Sequence, residues 1–189
     1  MGDACAPEAF EALYRSREDP WDFATAPSEQ RRYDVLETML ARPRYSSGYE
    51  PGCSVGVLTR RLAARCDRLR AIDVSPTAVA RARRRCREQP GVTIEVGSLA
   101  SDATGGHDLV VLSEIGYYFE GAALTAALDR VIGALRPGGT LAACHWTAFS
   151  PDHPIRGQVV HAHLHLRSDL IPVAHHREPH HVLDLWERR

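Results

Sequence analysis

A three-layer α/β sandwich on a mostly parallel sheet is the fold this sequence predicts. Three observations predict it. Strand-like and helix-like stretches alternate from Ser47 to His145, as they do when helices cross over between parallel strands. One strand-like stretch, Asp108-Leu109-Val110-Val111-Leu112-Ser113, is nearly all apolar, as a central parallel strand covered on both faces must be. Two further strand-like stretches end the chain with no helix between them, which implies an antiparallel pair at one edge.

The elements follow in order. Pro7 to Tyr14 predicts a short first helix, broken by Asp19-Pro20-Trp21, where Trp21 and Phe23 supply two large anchors in a polar segment. Ser28 is placed to cap a helix from Glu29 to about Ala41, with Tyr33, Leu36, Met39 and Leu40 as its apolar stripe. Ser47 to Glu50 is a poor strand by composition and is assigned from the turn that follows it. Val57 to Cys66 reads as a helix with Val57, Leu58, Leu62 and Ala63 inward, and Leu69 to Val74 as the second strand. Ser75-Pro76 is a strong helix start, because proline in the first turn lacks a proton that would be unpaired anyway. That helix runs to about Arg87. Val92 to Val96 alternates as a third strand, Ala122 to Leu135 forms a helix stopped by Arg136-Pro137-Gly138-Gly139, and Thr140 to His145 is a fifth strand. Leu170 to Ala174 and Val182 to Trp186 are the closing pair, flanking the polar stretch from His175 to His181.

The 189 residues are 44% hydrophobic and 25% charged, which suits one domain with a sizeable core. A formal net charge of −1 gives no general reason to bind nucleic acid or an anionic membrane. No apolar run approaches the roughly 18 residues that span a bilayer. Met1 to Cys5 has neither the basic start nor the apolar run of a secretory signal. Five cysteines, an odd number without a C-x-x-C pair, predict reduced thiols in a cytoplasm.

The chemistry-bearing feature is Glu50-Pro51-Gly52-Cys53-Ser54-Val55-Gly56, answered by Asp73 at the end of the second strand. A small-residue turn entering a helix lets backbone approach a ligand, and an acid on the next strand can grip a ribose. Asp73 follows Gly52 by 21 positions, room for one turn, one helix and one strand. The spacing is not G-x-G-x-x-G, so the third glycine that packs beside a pyrophosphate is missing. Glu50 at the mouth would repel a pyrophosphate and attract an amino group or sulfonium. The competing interpretation is a packing turn with two surface acids.

As an ordered set, this turn resembles the class I S-adenosylmethionine-dependent methyltransferases, together with Ala71-Ile72-Asp73-Val74-Ser75, the strand Asp108 to Glu114, and Leu135-Arg136-Pro137-Gly138-Gly139-Thr140-Leu141. A nearer resemblance is to the nodulation-type (NodS-like) N-methyltransferases. It rests on Asp19-Pro20-Trp21, Ser28 to Tyr33, Gly52 to Thr59, Ser113 to Tyr118 and His145-Trp146. The resemblance implies a single Rossmann-like methyltransferase domain over residues 1–189, with residues 1–42 covering the cofactor, and S-adenosylmethionine as that cofactor, released as S-adenosylhomocysteine. It implies that Glu50, Gly52, Ser54 and Gly56 line the cofactor, that Asp73 holds its ribose, that Val74 with Ser98 and Leu99 flanks adenine, and that Ser113 lies at the methionine end. Serine at position 54 suits the turn if its φ is negative. Trp21 and Arg32 would cover the cofactor, with Arg32 also placed to pair with Glu50. The implied acceptor is a small-molecule amine such as an amino sugar, a preference resting on the resemblance alone. An O-methyltransferase, an NAD-dependent oxidoreductase and a noncatalytic cofactor-binding protein are the alternatives.

Methyl transfer needs alignment and a lone pair on the acceptor. Ligands of open α/β sheets bind beyond the carboxyl ends of the strands. Glu114 and Tyr118 follow the fourth strand and His145 ends the fifth, so all three are expected at one pocket. His145 is the expected base, Glu114 an orienting or proton-accepting carboxylate, and Tyr118 or Tyr117 part of the wall. The histidines at 161, 163, 165, 175, 176, 180 and 181 accompany no H-E-x-x-H and no paired cysteines, so no metal is expected. The stretch from His165 to Leu170 is short against the nodulation-type pattern, where a substrate-covering segment would sit. Arg81, Arg83, Arg84, Arg85 and Arg87 spread around a helix without stacking aromatics, so no nucleic acid is expected. The oligomeric state is open.

Overall fold

The computed structural model describes residues 6–102 and 104–189. A seven-stranded sheet carries the strands β1 (Gly48–Pro51), β2 (Leu69–Asp73), β3 (Val92–Val96), β4 (His107–Ser113), β5 (Leu135–Trp146), β6 (Leu170–Arg177) and β7 (His181–Arg188). Their order is β3-β2-β1-β4-β5-β7-β6. The first five strands pair in parallel, whereas β7 runs antiparallel to both β5 and β6. The expected fold class and the closing antiparallel pair are both present. Order reverses beside β1, between β2 and β4, which opens a crevice at the carboxyl ends of those strands.

Six helices among the described residues make the outer layers: α1 (Pro7–Ser16), α2 (Pro27–Met39), α3 (Val57–Ala63), α4 (Pro76–Arg85), α5 (Gly121–Ala134) and α6 (Gly157–His165). Alternation along β4 sorts the core. Leu109 and Val111 meet Tyr33, Leu36, Leu58 and Leu62 of α2 and α3. Val110 and Leu112 meet Leu124, Leu128 and Val131 of α5 and Val160 and Leu164 of α6. The whole of β4 is buried, consistent with its unbroken apolar run.

Several boundaries differ from expectation, among them the start of β5, which takes in Leu135 to Gly139, expected as a helix end and its stop. Helix α2 starts at Pro27 with Ala26 as its cap, so Ser28 lies inside the first turn and does not cap it. Proline's fixed φ does the starting instead. Helix α3 ends at Ala63 rather than Cys66, because the chain turns to bridge Tyr45 with Cys66 before β2. Ser75 does cap α4, accepting the Ala78 amide at 3.0 Å. In the tail, His175 to Arg177 and His181 belong to strands, so the hairpin is longer than its apolar cores. Cross-strand hydrogen bonding extends it through polar residues whose composition hides them. The first-residue reading, Met1 to Cys5, lies outside the described residues.

Candidate active site

Strand β1 ends in the turn expected to hold a ligand. Gly52 and Gly56 have φ of +74° and +79°, and Ser54 is also left-handed at +53°. The expectation of a negative φ at Ser54 is therefore corrected. Two bonds hold a conformation that an L-residue avoids. The Ser54 amide donates to Asp73 Oδ2 at 2.9 Å, and Tyr14 donates its hydroxyl hydrogen to Ser54 Oγ at 2.7 Å. Gly52 is required on steric grounds, since a Cβ there would stand 2.3 Å from Ile115. Gly56 does not line the cavity. It caps α3, and its missing Cβ lets α4 approach, with Ala82 Cα 2.9 Å from where that carbon would be. This glycine serves helix packing rather than ligand contact, a second correction.

A cavity of about 770 Å³ opens beside this turn. Its floor comes from the strand ends: Glu50, Gly52 and Ser54 after β1, Asp73 and Val74 after β2, Ser98 and Leu99 after β3, and Ser113 and Glu114 after β4. Its roof comes from the first two helices and their link: Phe10, Tyr14, Trp21, Phe23, Glu29 and Arg32. Ten of the eleven residues expected at the cofactor are brought together here, all but Gly56.

Glu50 is buried, and its Oε2 has no hydrogen-bond partner. Burial pushes this carboxyl up to about 8, opposed first by the neighbouring Thr59 hydroxyl and then by the positive Arg32. Arg32 does not hydrogen-bond with Glu50, as had been expected. Its guanidinium donates to Glu29 Oε2 at 2.5 Å and to Ser113 Oγ at 2.6 Å. That leaves a buried carboxylate oxygen facing a cavity, which is costly without a cationic or hydrogen-donating partner. Asp73 accepts the Ser54 and Ser75 amides, one on each oxygen. Burial raises its carboxyl to about 6, against the lowering effect of those two bonds. Each oxygen retains a lone pair for a further donor.

The opposite end of the cavity is aromatic. Glu114 is left-handed at φ +59°, pinned by Trp146, whose amide donates to Oε1 at 2.7 Å, and by Tyr117, whose hydroxyl donates to Oε2 at 2.7 Å. Strain of this kind persists only where neighbours over-determine it. Burial raises the Glu114 carboxyl, with Arg32 opposing. Tyr118 lines the wall and meets Phe10 edge-on at 5.0 Å. Trp146 and His153 complete it, with the His153 ring stacked on Tyr117 at 3.8 Å. Burial holds His153 below the ordinary histidine range, so it is neutral near pH 7.

His145 is not in this cavity. It is fully buried behind the Gly116–Tyr118 turn, where its Nε2 accepts the Gly116 amide at 3.1 Å and its Nδ1 meets His161 Nε2 at 3.0 Å. Both ring nitrogens are occupied by protein, which removes it from the reach a base needs. Strand alternation is the cause: Trp146 faces the ligand side, so His145 points beneath α6. Sequence reasoning missed Tyr14, Glu29 and His153. Tyr14 and Phe10, four apart on a short helix, were a detectable stripe; His153 sits in a loop with no periodic signal. Among the described residues no group of three histidine, cysteine, aspartate or glutamate side chains is arranged to hold a metal ion.

The nodulation protein S (NodS) family model matches residues 11–146. Nodulation protein S of Sinorhizobium fredii is 35% identical over 135 residues, 69% of this chain and 62% of that protein. The chain thus spans less than two thirds of that curated relative. A solved protein from Pseudomonas syringae is 37% identical with a TM-score of 0.75, covering 85% of this chain and 99% of its own. The N-methyltransferase NodS from Bradyrhizobium japonicum WM9, solved in complex with S-adenosyl-L-homocysteine, is 26% identical with a TM-score of 0.84, over 95% and 97% of the two chains. On the match across most of its length, this chain belongs to the nodulation protein S family.

Proposed function

We propose that the protein is an S-adenosylmethionine-dependent methyltransferase acting on a small-molecule amine. The observation that carries this reading is the buried Glu50, whose Oε2 has no hydrogen-bond partner, beside a left-handed turn in a cavity that Asp73 also lines. A nucleoside bearing a cationic amino-acid tail satisfies both acids at once, and a pyrophosphate satisfies neither. The relative solved with S-adenosyl-L-homocysteine supports the same ligand class. In this reading Asp73 takes the ribose hydroxyls, Val74, Ser98 and Leu99 flank adenine, and Glu50, Ser113 and Arg32 surround the methionine end. Trp21 and the rest of residues 6–42 cover the ligand. When bound, the cofactor supplies an activated methyl on a sulfonium.

The chain's own residues do the rest. The amine must present a lone pair, and its proton must leave. Glu114, already oriented by Tyr117 and Trp146, attracts the protonated amine. His153, neutral and on the cavity wall, is the group best placed to accept the proton, taking the role expected of His145. Tyr117, Tyr118 and Trp146 exclude water from the approach. No helix among the described residues is long and apolar enough to cross a membrane. A cytoplasmic enzyme with no nucleic-acid partner fits the near-neutral charge.

Titration calorimetry with S-adenosylhomocysteine and with NAD tests the cofactor. Binding of the first alone is expected; binding of NAD alone overturns the reading. A screen of amino sugars, simple amines and hydroxylated metabolites for cofactor-dependent methylation then tests the acceptor. Transfer only to oxygen overturns the amine assignment and leaves the methyltransferase intact.

A further inference from the structure

We infer that His145, His161 and Asp184 form a one-way hydrogen-bond chain that positions the Gly116–Tyr118 turn, and with it the tyrosine wall of the acceptor end. The direction follows from one fact. The Gly116 amide can only donate, and it points at His145 Nε2 at 3.1 Å. That nitrogen must be bare, so the neutral ring carries its hydrogen on Nδ1. Nδ1 lies 3.0 Å from His161 Nε2, which must then be the acceptor. His161 in turn carries its hydrogen on Nδ1, 2.5 Å from Asp184 Oδ2. The other oxygen, Oδ1, receives His175 Nδ1 at 2.6 Å. Each link from the Gly116 amide to Asp184 has one donor and one acceptor, and His165 Nε2 also lies 3.5 Å from Asp184 Oδ2.

The surroundings are built for this chain. Asp184, His145 and His161 are all buried. In the β5–β7 register Asp184 stands opposite Ala143, two residues from His145, so both side chains rise on the same face. Helix α6 lies over that face and lowers His161 between them. Two glycines permit the approach. A Cβ on Gly116 would stand 2.8 Å from His145 Nε2 and 2.7 Å from Val160. A Cβ on Gly157 would stand 2.6 Å from His145 Cβ and 2.3 Å from the Trp146 carbonyl oxygen. The turn held this way bears Tyr117, which orients both Glu114 and the His153 ring. His161, His175 and Asp184 lie beyond residues 11–146, the span of the family match. They are positioning residues, since none of them lines the cavity.

Nitrogen-15 spectra of the histidines test the chain directly in the wild-type protein. Both His145 and His161 are expected as the Nδ1–H tautomer; an Nε2–H tautomer at either overturns the proposal. Hydrogen exchange and two substitutions test the positioning. In His145→Leu the Gly116 amide is expected to exchange at least tenfold faster. His145→Gln, which keeps an acceptor and a donor, should restore most of the protection. Equal exchange in wild type and His145→Leu overturns it. The functional half rests on the methyl-transfer reading. With glucosamine as the amine probe, His145→Leu should lower kcat at least tenfold with affinity for S-adenosylhomocysteine within twofold, and His145→Gln should recover it to within threefold. Unchanged kcat in His145→Leu overturns positioning, whereas wild-type protein that binds the cofactor but methylates no amine counts against the proposed acceptor alone. Should His145→Leu fail to fold, His161→Leu replaces it, and the wild-type spectra decide the chain independently.

Discussion

Single residues decide this site through backbone conformation as much as through side-chain chemistry. Ser54 is the plainest case. A left-handed serine costs about 1–2 kcal/mol relative to an ordinary one, and its hydroxyl recovers about 1 kcal/mol from the Tyr14 bond. Ser54→Gly should therefore change the melting temperature by only a few degrees, since about 1 kcal/mol shifts a domain of this size by roughly 2–4 °C. Ser54→Val, with a branched Cβ at positive φ, should destabilise clearly more, and scanning calorimetry on both variants checks the contrast. Asp73 is different, because its oxygens hold the turn as well as face the cavity. Losing a charge-assisted bond typically costs about 1.5–3 kcal/mol. Asp73→Ala should weaken S-adenosylhomocysteine binding tenfold or more in a protein that still melts cooperatively; unchanged affinity would remove Asp73 from the site. Asp73 was legible as sequence because it ends an apolar strand at the right distance from the glycine turn, and Glu50 because it stands two residues before that turn. His145 was not legible in the same way. It too ends a strand, but a one-residue alternation decides whether a side chain enters the crevice or turns beneath α6, and nothing in His145-Trp146 says which.

Elements position those residues, and the least autonomous element is α1. It touches the rest of the fold mainly through α4. Glu11 is the clasp at one end: Ser75 donates its hydroxyl to Glu11 Oε2 at 2.6 Å, and Thr77 donates its hydroxyl to Oε1 at 2.6 Å and its amide to Oε2 at 3.1 Å. These bonds hold the Glu11 carboxyl below the usual range. Arg81 is the clasp at the other end, donating to the carbonyls of Tyr14, Arg17 and Glu18. The arginine run, spread around its helix, is thus partly structural. Helix α1 in turn delivers Phe10 and Tyr14 to the cavity roof. Removing both clasps in Glu11→Ala/Arg81→Ala should free the helix, speed proteolytic cleavage between α1 and α2, and weaken cofactor binding, while the sheet keeps its stability toward urea. Equal protection from protease in the variant and the wild type would show that Phe10 and Tyr14 alone suffice to dock the helix. The helix itself could be read from Pro7 and its apolar spacing, but its partner could not, because Glu11 and Arg81 are 70 positions apart and each looks like an ordinary surface charge.

The whole molecule buries titratable groups of both kinds, and its stability should therefore fall on both sides of an optimum. The fold keeps His145, His161 and His181 neutral, their values lowered chiefly by burial, to about 4 for His181. A histidine depressed in the folded state binds fewer protons than the unfolded chain below about pH 6.5, so stability should decline as pH falls from 6.5 toward 4. Glu50 and Asp73 act in the opposite sense. Their carboxyls rise from 4.5 to about 8 and from 3.8 to about 6. Their contribution is complete below their unfolded values and is lost as pH climbs through 6 and 8, because the unfolded chain sheds those protons freely. The maximum should lie between the two arms, in the region of pH 6 to 7, although the sequence has a formal net charge of only −1 and would suggest little pH dependence at all. A bound cation beside Glu50 should flatten the alkaline arm specifically, by stabilising the ionised carboxylate, whose Oε2 has no hydrogen-bond partner within the protein. Binding should then release a proton near pH 6.5 and tighten as pH rises toward 8. Urea unfolding at pH 5, 6.5 and 8.5, with and without S-adenosylhomocysteine, measures both arms. Calorimetry in buffers of different ionisation enthalpy counts the proton. In Glu50→Gln the alkaline arm and the proton release should both shrink while the acid arm, owned by the histidines, stays. If the proton release persists in that variant, the cationic end of the ligand lies elsewhere in the cavity, and Asp73 becomes the titrating partner.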